Sequence, residues 1–154
     1  MSKFLFLLAA FLLSVPCRSQ ELKSVVWTSF DVSFKAPSDM VVEEDSSEGY
    51  AVGNSTYYIT VELLEGEDIR RAELAGELKA IAADDEVTKQ TPVVSFDLSQ
   101  FHGVYLKGIC GSDRCVYSYL LAKDGSCGFY VSIVYKDADD ALPETILRSF
   151  ALKD

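Results

Sequence analysis

Apolar and polar residues alternate with a period of two over much of this chain, and twice the period lengthens to that of a helix. The first alternation, Trp27 to Lys35, sets Phe30, Val32 and Phe34 against polar neighbours and predicts one half-buried strand, closed by the turn Ala36-Pro37-Ser38-Asp39. Met40 to Glu43 reads as a short second strand, and Asp45-Ser46-Ser47-Glu48-Gly49 as a loop. Tyr50 to Gly53 and Tyr57 to Leu64 form a hairpin around Gly53-Asn54-Ser55, with Tyr57, Ile59, Val61 and Leu63 on one face of its second arm.

Between Glu67 and Asp84 the spacing changes: Leu74, Leu78 and Ile81 make a single stripe at i, i+4 and i+7, which predicts a helix. Glu67 and Asp68 stand in its first turn, where the helix dipole favours negative charge, and Gly76 inside it marks a candidate close approach to the sheet. Four strands follow, Val93 to Leu98, Gly103 to Cys110, Cys115 to Ala122 and Cys127 to Tyr135. A closing helix runs from about Asp139 to Ala151, capped by Asp139 or Asp140, with Pro143 in its opening turn and Leu142, Ile146, Leu147 and Phe150 as its stripe. The order β-β-β-β-α-β-β-β-β-α, with tight turns between successive strands, predicts an α+β domain: an antiparallel sheet of seven or eight strands with helices on its faces.

The last three strands divide into two faces. Asp124-Gly125 is a turn signal that sets Leu120 opposite Phe129 and Ser118 opposite Val131. Pairing Cys110 with Cys115 across Gly111-Ser112-Asp113-Arg114 sets Gly108 opposite Tyr117 and Leu106 opposite Tyr119. One face then carries Tyr105, Ile109, Val116, Leu120, Phe129, Val131 and Ile133, a core face for a helix to cover. The other carries Tyr117, Tyr119 and Tyr130 among smaller residues. Two readings of the tyrosines stand side by side: a binding face that offers apolar area together with hydroxyls, or a surface covered by the closing helix. The same register brings Cys110 and Cys115 within disulfide reach and leaves Cys127 on the opposite face as a small buried thiol.

Composition adds a location. Lys3, an apolar run from Phe4 to Val15 and the exit Pro16-Cys17-Arg18-Ser19 read as a secretory signal peptide, residues 1–19, too short to span a bilayer. Residues 20–29 are then a lead-in and 30–154 a single domain, periplasmic or secreted, where a disulfide is permitted. Cys17 carries the alternative of a lipid anchor. The whole chain has net charge −10, and losing the leader removes two bases, Lys3 and Arg18, and no acid. Such a domain is repelled by nucleic acid and by anionic lipid. His102 is the only histidine, in a turn between strands, so a histidine-rich metal site and histidine-based nucleophilic catalysis have almost nothing to draw on. The acidic runs Glu43-Glu44-Asp45, Asp84-Asp85-Glu86 and Asp137 to Asp140 lack the spacing of a calcium loop. Asn54-Ser55-Thr56 fits the glycosylation pattern. No cofactor, metal or catalytic residue is expected.

With this element order in place the chain resembles the PsbP-like fold, an α/β/α sandwich whose members include the extrinsic PsbP subunit of photosystem II, a Ran-binding protein and periplasmic proteins of the DcrB type. The resemblance runs from about Phe30 to Phe150. It is carried by Phe34-Lys35-Ala36-Pro37-Ser38-Asp39-Met40, by Tyr58-Ile59-Thr60-Val61, by Gly103-Val104-Tyr105-Leu106-Lys107-Gly108 and by Ile146-Leu147-Arg148-Ser149-Phe150. It implies a non-catalytic partner of a larger assembly, and it carries over no functional residue. The expectation is therefore an exported module that associates with a protein of the envelope or outside the cell. The alternative is a small-molecule or peptide binder that uses the face of Tyr117, Tyr119 and Tyr130.

Overall fold

The computed structural model describes residues 21–64, 69–136 and 141–153. The signal segment with Cys17, Glu67 and Asp68, and the acidic run 137–140 with the capping residues Asp139 and Asp140 lie outside the described residues.

Among the described residues ten strands form, most of them where alternation predicts; it does not predict those at Leu22–Trp27, within the expected lead-in, and at Ala151–Leu152, past the expected closing helix. The strands β1 (Leu22–Trp27), β2 (Val32–Pro37), β3 (Val41–Asp45), β4 (Tyr50–Gly53) and β5 (Tyr57–Leu63) precede a 3₁₀ turn, Arg71–Glu73, and helix α1 (Leu74–Asp84). After α1 come β6 (Val94–Asp97), β7 (Phe101–Cys110), β8 (Asp113–Ala122), β9 (Gly128–Tyr135), helix α2 (Ala141–Arg148) and β10 (Ala151–Leu152). Seven strands form one antiparallel sheet in the order β3-β4-β5-β9-β8-β7-β6, and β1, β2 and β10 form a second of three. The class is α+β, with helices against both faces of the large sheet and the small sheet sharing one face with α2.

Three expectations are corrected. Trp27 to Lys35 is not one strand but parts of two, β1 and β2, which pair from Leu22↔Pro37 to Trp27↔Val32. Phe30 continues the apolar alternation through the turn, yet Asp31 takes φ 52, a left-handed conformation that reverses the chain. The first helix begins later than Glu67, since Ile69 and Arg70 are not helical. The closing helix ends at Arg148 rather than Ala151. There the Ser149 hydroxyl donates to the Ile146 carbonyl at 2.6 Å and accepts the Lys35 amide at 2.8 Å, and the chain turns extended to pair with β2 as β10.

The β7–β9 meander is apolar on both faces, and each face has its own cover. Phe101, Tyr105, Val116, Leu120, Phe129, Val131 and Ile133 face the small sheet and α2 in one core. Trp27 lies at its centre, fully buried, edge-on to Phe30 and Phe129 with ring centroids 4.6 and 6.0 Å away, its indole N–H donating to the Ser46 carbonyl at 2.7 Å. Phe34 stacks on Phe150 at 4.6 Å and holds the C-terminal segment to the same layer. Val104, Leu106, Cys115, Tyr117 and Tyr119 on the other face meet Leu74, Leu78 and Ala82 of α1.

Two glycines report how tightly α1 and its exit loop fit. Gly108 lies under that loop: a Cβ there would stand 2.4 Å from Val87 Cγ1 and 2.9 Å from the Thr88 carbonyl oxygen. Gly76 is not the close approach its place in the helix suggested, because it is exposed and nothing comes within 4 Å of its would-be Cβ. The two substitutions therefore have opposite signs. Gly76→Ala is expected to stabilise the protein by about 0.5–1 kcal/mol through helix propensity. Gly108→Ala is expected to destabilise it by about 1–3 kcal/mol through overpacking against backbone. Urea melts of the two variants check both; equal effects would refute the packing described for Gly108.

Candidate functional site

The tyrosines share the face assigned to them, although the hairpin register that placed them there is slipped by two. Cys115 pairs with Gly108, not Cys110, and Cys110 pairs with Asp113 across a tighter turn in which Gly111 takes φ 64. Likewise Leu106 faces Tyr117 and Val104 faces Tyr119. A slip of two keeps every side chain on its own face, so the division into faces survives the error. On β8 and β9 the pairs Leu120↔Phe129 and Ser118↔Val131 stand as expected.

The slip makes Cys110 and Cys115 diagonal rather than opposite, still on the face toward α1. Their Cα atoms are 6.0 Å apart and the pair is disulfide-bonded. Cys127 is a free, half-buried cysteine packed against the core on the far side of the sheet.

The closing helix does not cover the tyrosines; α1 does, because α2 packs on the opposite face beside the small sheet. Tyr117 and Tyr119 are buried and Tyr130 is half-buried. Their rings meet edge to face, Tyr117 to Tyr130 at 5.7 Å and Tyr119 to Tyr130 at 5.5 Å. The Tyr130 and Tyr117 hydroxyls are hydrogen-bonded, and Tyr117 donates on to Asp85 Oδ2 at 2.8 Å. Asp85 is the residue that ends α1, so this bond fastens the helix C-terminus to the sheet.

All three phenols resist ionisation. Burial, and then the hydrogen bond and charge of Asp85, push Tyr117 up to about 12. Burial raises Tyr130 as well, reinforced by Tyr117 and Asp85. Burial raises Tyr119, with the carboxylates of Glu77 and Asp85 adding to the effect. At neutral pH the cluster offers neutral hydroxyls and ring faces, and neither a base nor a nucleophile.

The cover is incomplete. Helix α1 lies over β7 and β8, while β5 and β9 extend beyond it, and there a cleft of about 590 Å³ opens. Tyr119 and Tyr130 lie at its base, Leu63, Leu64 and Ile81 along its sides, and Ser47, Glu48 and Glu62 complete its lining. Ile81, the third residue of the stripe that predicted α1, is only half-buried because it borders this opening. Strand alternation marks Tyr119 and Tyr130 as one face, whereas nothing local marks Glu48 or Glu62. One lies in the loop after β3 and the other on the polar side of β5, and only the fold brings them together.

His102 lies in β7 rather than in a turn, with Nδ1 2.7 Å from Asp97 Oδ1 across the β6–β7 hairpin. Arg71 Nη2 stands 3.2 Å from the same carboxylate, and the hydrogen bond from His102 leads the effects that hold Asp97 below its usual value. This exposed triplet ties the 3₁₀ turn to the edge strand. Asn54 is occupied structurally: its side chain accepts the amides of Thr56 and Tyr57 and donates to Asp39 at 2.9 Å. Among the described residues no three His, Cys, Asp or Glu side chains converge as a metal cage, and no helix is long and apolar enough to cross a membrane.

A family model described as Dihydro-orotase-like matches residues 24–139, from β1 through β9. The chain belongs to the Dihydro-orotase-like family. The match takes in every residue of the cleft. Among solved structures the chain is similar to the Saccharomyces cerevisiae Ran-binding protein Mog1p, with 12% identity over 88% of this chain and 97% of that one at a TM-score of 0.61. A point mutant of Mog1 gives 13% identity, 87% and 97% coverage and a TM-score of 0.59. A Bacteroides thetaiotaomicron protein gives 11% identity over 88% of this chain but 49% of that one, at 0.52. At these identities the likeness is one of fold. No curated protein matches the sequence.

Two measurements check the site. An unfolded chain releases a tyrosine proton near about pH 10, whereas the folded protein holds that of Tyr117 to about pH 12. Over that window the unfolded state binds fewer protons, so stability falls as pH rises. Tyr117→Phe removes this titration, and urea midpoints between about pH 9 and 11.5 should fall less steeply in the variant. An unchanged slope would refute the hydrogen-bonded, buried phenol. Separately, thiol titration of unfolded, unreduced residues 20–154 should find one thiol, that of Cys127, and three after reduction.

Proposed function

We propose that this protein is a non-catalytic binding module that works outside the cytosol and engages a protein partner through the cleft beside Tyr119 and Tyr130. The open cleft carries the reading. It couples apolar walls to neutral hydroxyls and carboxylates, a surface suited to recognition, and its phenols are protonated at working pH. The fold shared with a Ran-binding protein supports a role in protein association. The resemblance of the sequence to PsbP and to DcrB-type proteins points the same way.

The compartment rests on the leader and on the disulfide pair, which an oxidising environment favours. Cleavage after Ser19 gives a soluble domain, and processing at Cys17 a lipid-anchored one; intact mass of the protein recovered from the envelope fraction separates the two. Retention of residues 1–19 on a cytosolic protein would overturn export.

The partner contact is tested by photo-crosslinking in the native cell, with the reactive residue at Glu48 on the cleft or at Lys23 on exposed β1. A discrete adduct from Glu48 and none from Lys23 is expected. Equal labelling from both positions would overturn a contact made through the cleft. The name of the family supplies a check on catalysis: turnover of dihydro-orotate by the purified chain would overturn the non-catalytic reading.

A further inference from the structure

The cleft that the proposed function rests on has a chemical bias that narrows its occupant. Of the eight residues that line it, Glu48 and Glu62 are charged, and both are acids. Glu77 and Asp85 act on the Tyr119 phenol from the side of α1, so the field at the base of the cleft is negative as well. Beyond the cleft the same face of the sheet continues as an uncovered strip. Tyr58 and Val134 pair across β5 and β9, and Val41 and Gly53 complete the row across β3 and β4. Tyr58 and Val41 are exposed there, the Tyr58 hydroxyl bonds Glu43, and the Tyr58 ring lies over Gly53, where a Cβ would come within 3.0 Å of it. An apolar strip beside Glu43 and an apolar cleft lined by carboxylates thus share one sheet face, separated by the single row of Thr60 and Ser132.

We propose that the cleft takes an arginine or lysine side chain from an extended, basic segment of the partner protein. The alkyl stem of such a residue lies against Leu64, Ile81 and the tyrosine rings, and its charge sits with Glu48 and Glu62. A long basic side chain combines these two demands in one group, because its stem is apolar and its head is cationic. An aromatic face adds attraction for the cation. Apolar residues at alternate positions of the segment then have Val41, Tyr58 and Val134 to pack on. Electrostatic complementarity of this kind governs which partner is accepted and how fast it arrives more than it governs raw affinity.

The test uses the disulfide-bonded chain of residues 20–154 and acetylated, amidated hexapeptides that alternate leucine with arginine, with citrulline or with glutamate. Backbone NMR shifts at Leu63, Leu64, Ile81, Tyr119 and Tyr130 read occupancy of the cleft. The arginine peptide is expected to bind, to weaken as salt is raised, and to bind roughly tenfold less tightly to the Glu48→Gln, Glu62→Gln double variant. Both glutamates are exposed, so the double variant keeps its fold, which near-ultraviolet circular dichroism confirms. Equal affinity for the citrulline peptide overturns the basic occupant and leaves the cleft as a binding site. Agmatine bound as tightly as the arginine peptide overturns the protein segment in favour of a small amine. Binding of none of these, together with crosslinks that avoid Glu48, overturns both this inference and the reading it rests on.

Discussion

A sheet with apolar side chains on both faces must be covered twice, and most of this structure follows from that requirement. Along β8 the residues from Cys115 to Leu120 are all buried, whichever way they point. Leaving such a strand half exposed would cost about 1.5–3 kcal/mol for each large side chain returned to water. The small sheet and α2 cover one face and α1 covers the other. Their positions are set by where the meander is two-sided. The Trp27 indole, buried between the sheets with its N–H satisfied by Ser46, is the point where the N-terminal hairpin is committed to that task.

The same constraint explains where the cover stops. In β5 the buried residues Tyr57, Ile59 and Val61 alternate with Tyr58, Thr60 and Glu62, which are exposed or half-buried. This strand needs one cover only, and α1 does not reach across it. The cleft is the boundary between the two-sided and the one-sided halves of a single sheet. At that boundary aromatic side chains from the covered half, Tyr119 and Tyr130, come beside carboxylates from the uncovered half, Glu62 and the nearby Glu48. Recognition surfaces arise readily at such borders, where apolar area is already organised and polar groups are already hydrated.

The hydrogen-bonded tyrosines give the boundary its rigidity. Tyr130 to Tyr117 to Asp85 is a chain of polar groups under the end of α1, and the Cys110–Cys115 pair clasps the neighbouring hairpin. Each partner in such a chain has its hydrogen bond supplied within the protein, which removes the penalty of burying a lone hydroxyl. The helix is fastened at Asp85 by this chain, and ahead of its first turn the exposed Arg71–Asp97 pair adds a weaker tie.

Much of this was legible in the residues themselves. The period of two located the strands, the Asp124-Gly125 turn set the pairing of β8 with β9, and parity assigned each side chain to a face. Parity even survived a wrong register at Cys110, because a slip of two restores the same face. These properties are local: they depend on a residue and its neighbours one or two places away. Other features depend on contacts distant in sequence. Asp31 reversed the chain within an unbroken apolar alternation; Ser149 ended α2 on a bond to Lys35 more than a hundred residues earlier. The choice of α1 rather than α2 to cover Tyr117 and Tyr119 was likewise tertiary, since both helices carry an apolar stripe and neither stripe names its sheet face. The cleft belongs to this second kind. The sequence determined which residues are aromatic and which acidic, and only the packing of α1 against part of a wider sheet decided that they would meet.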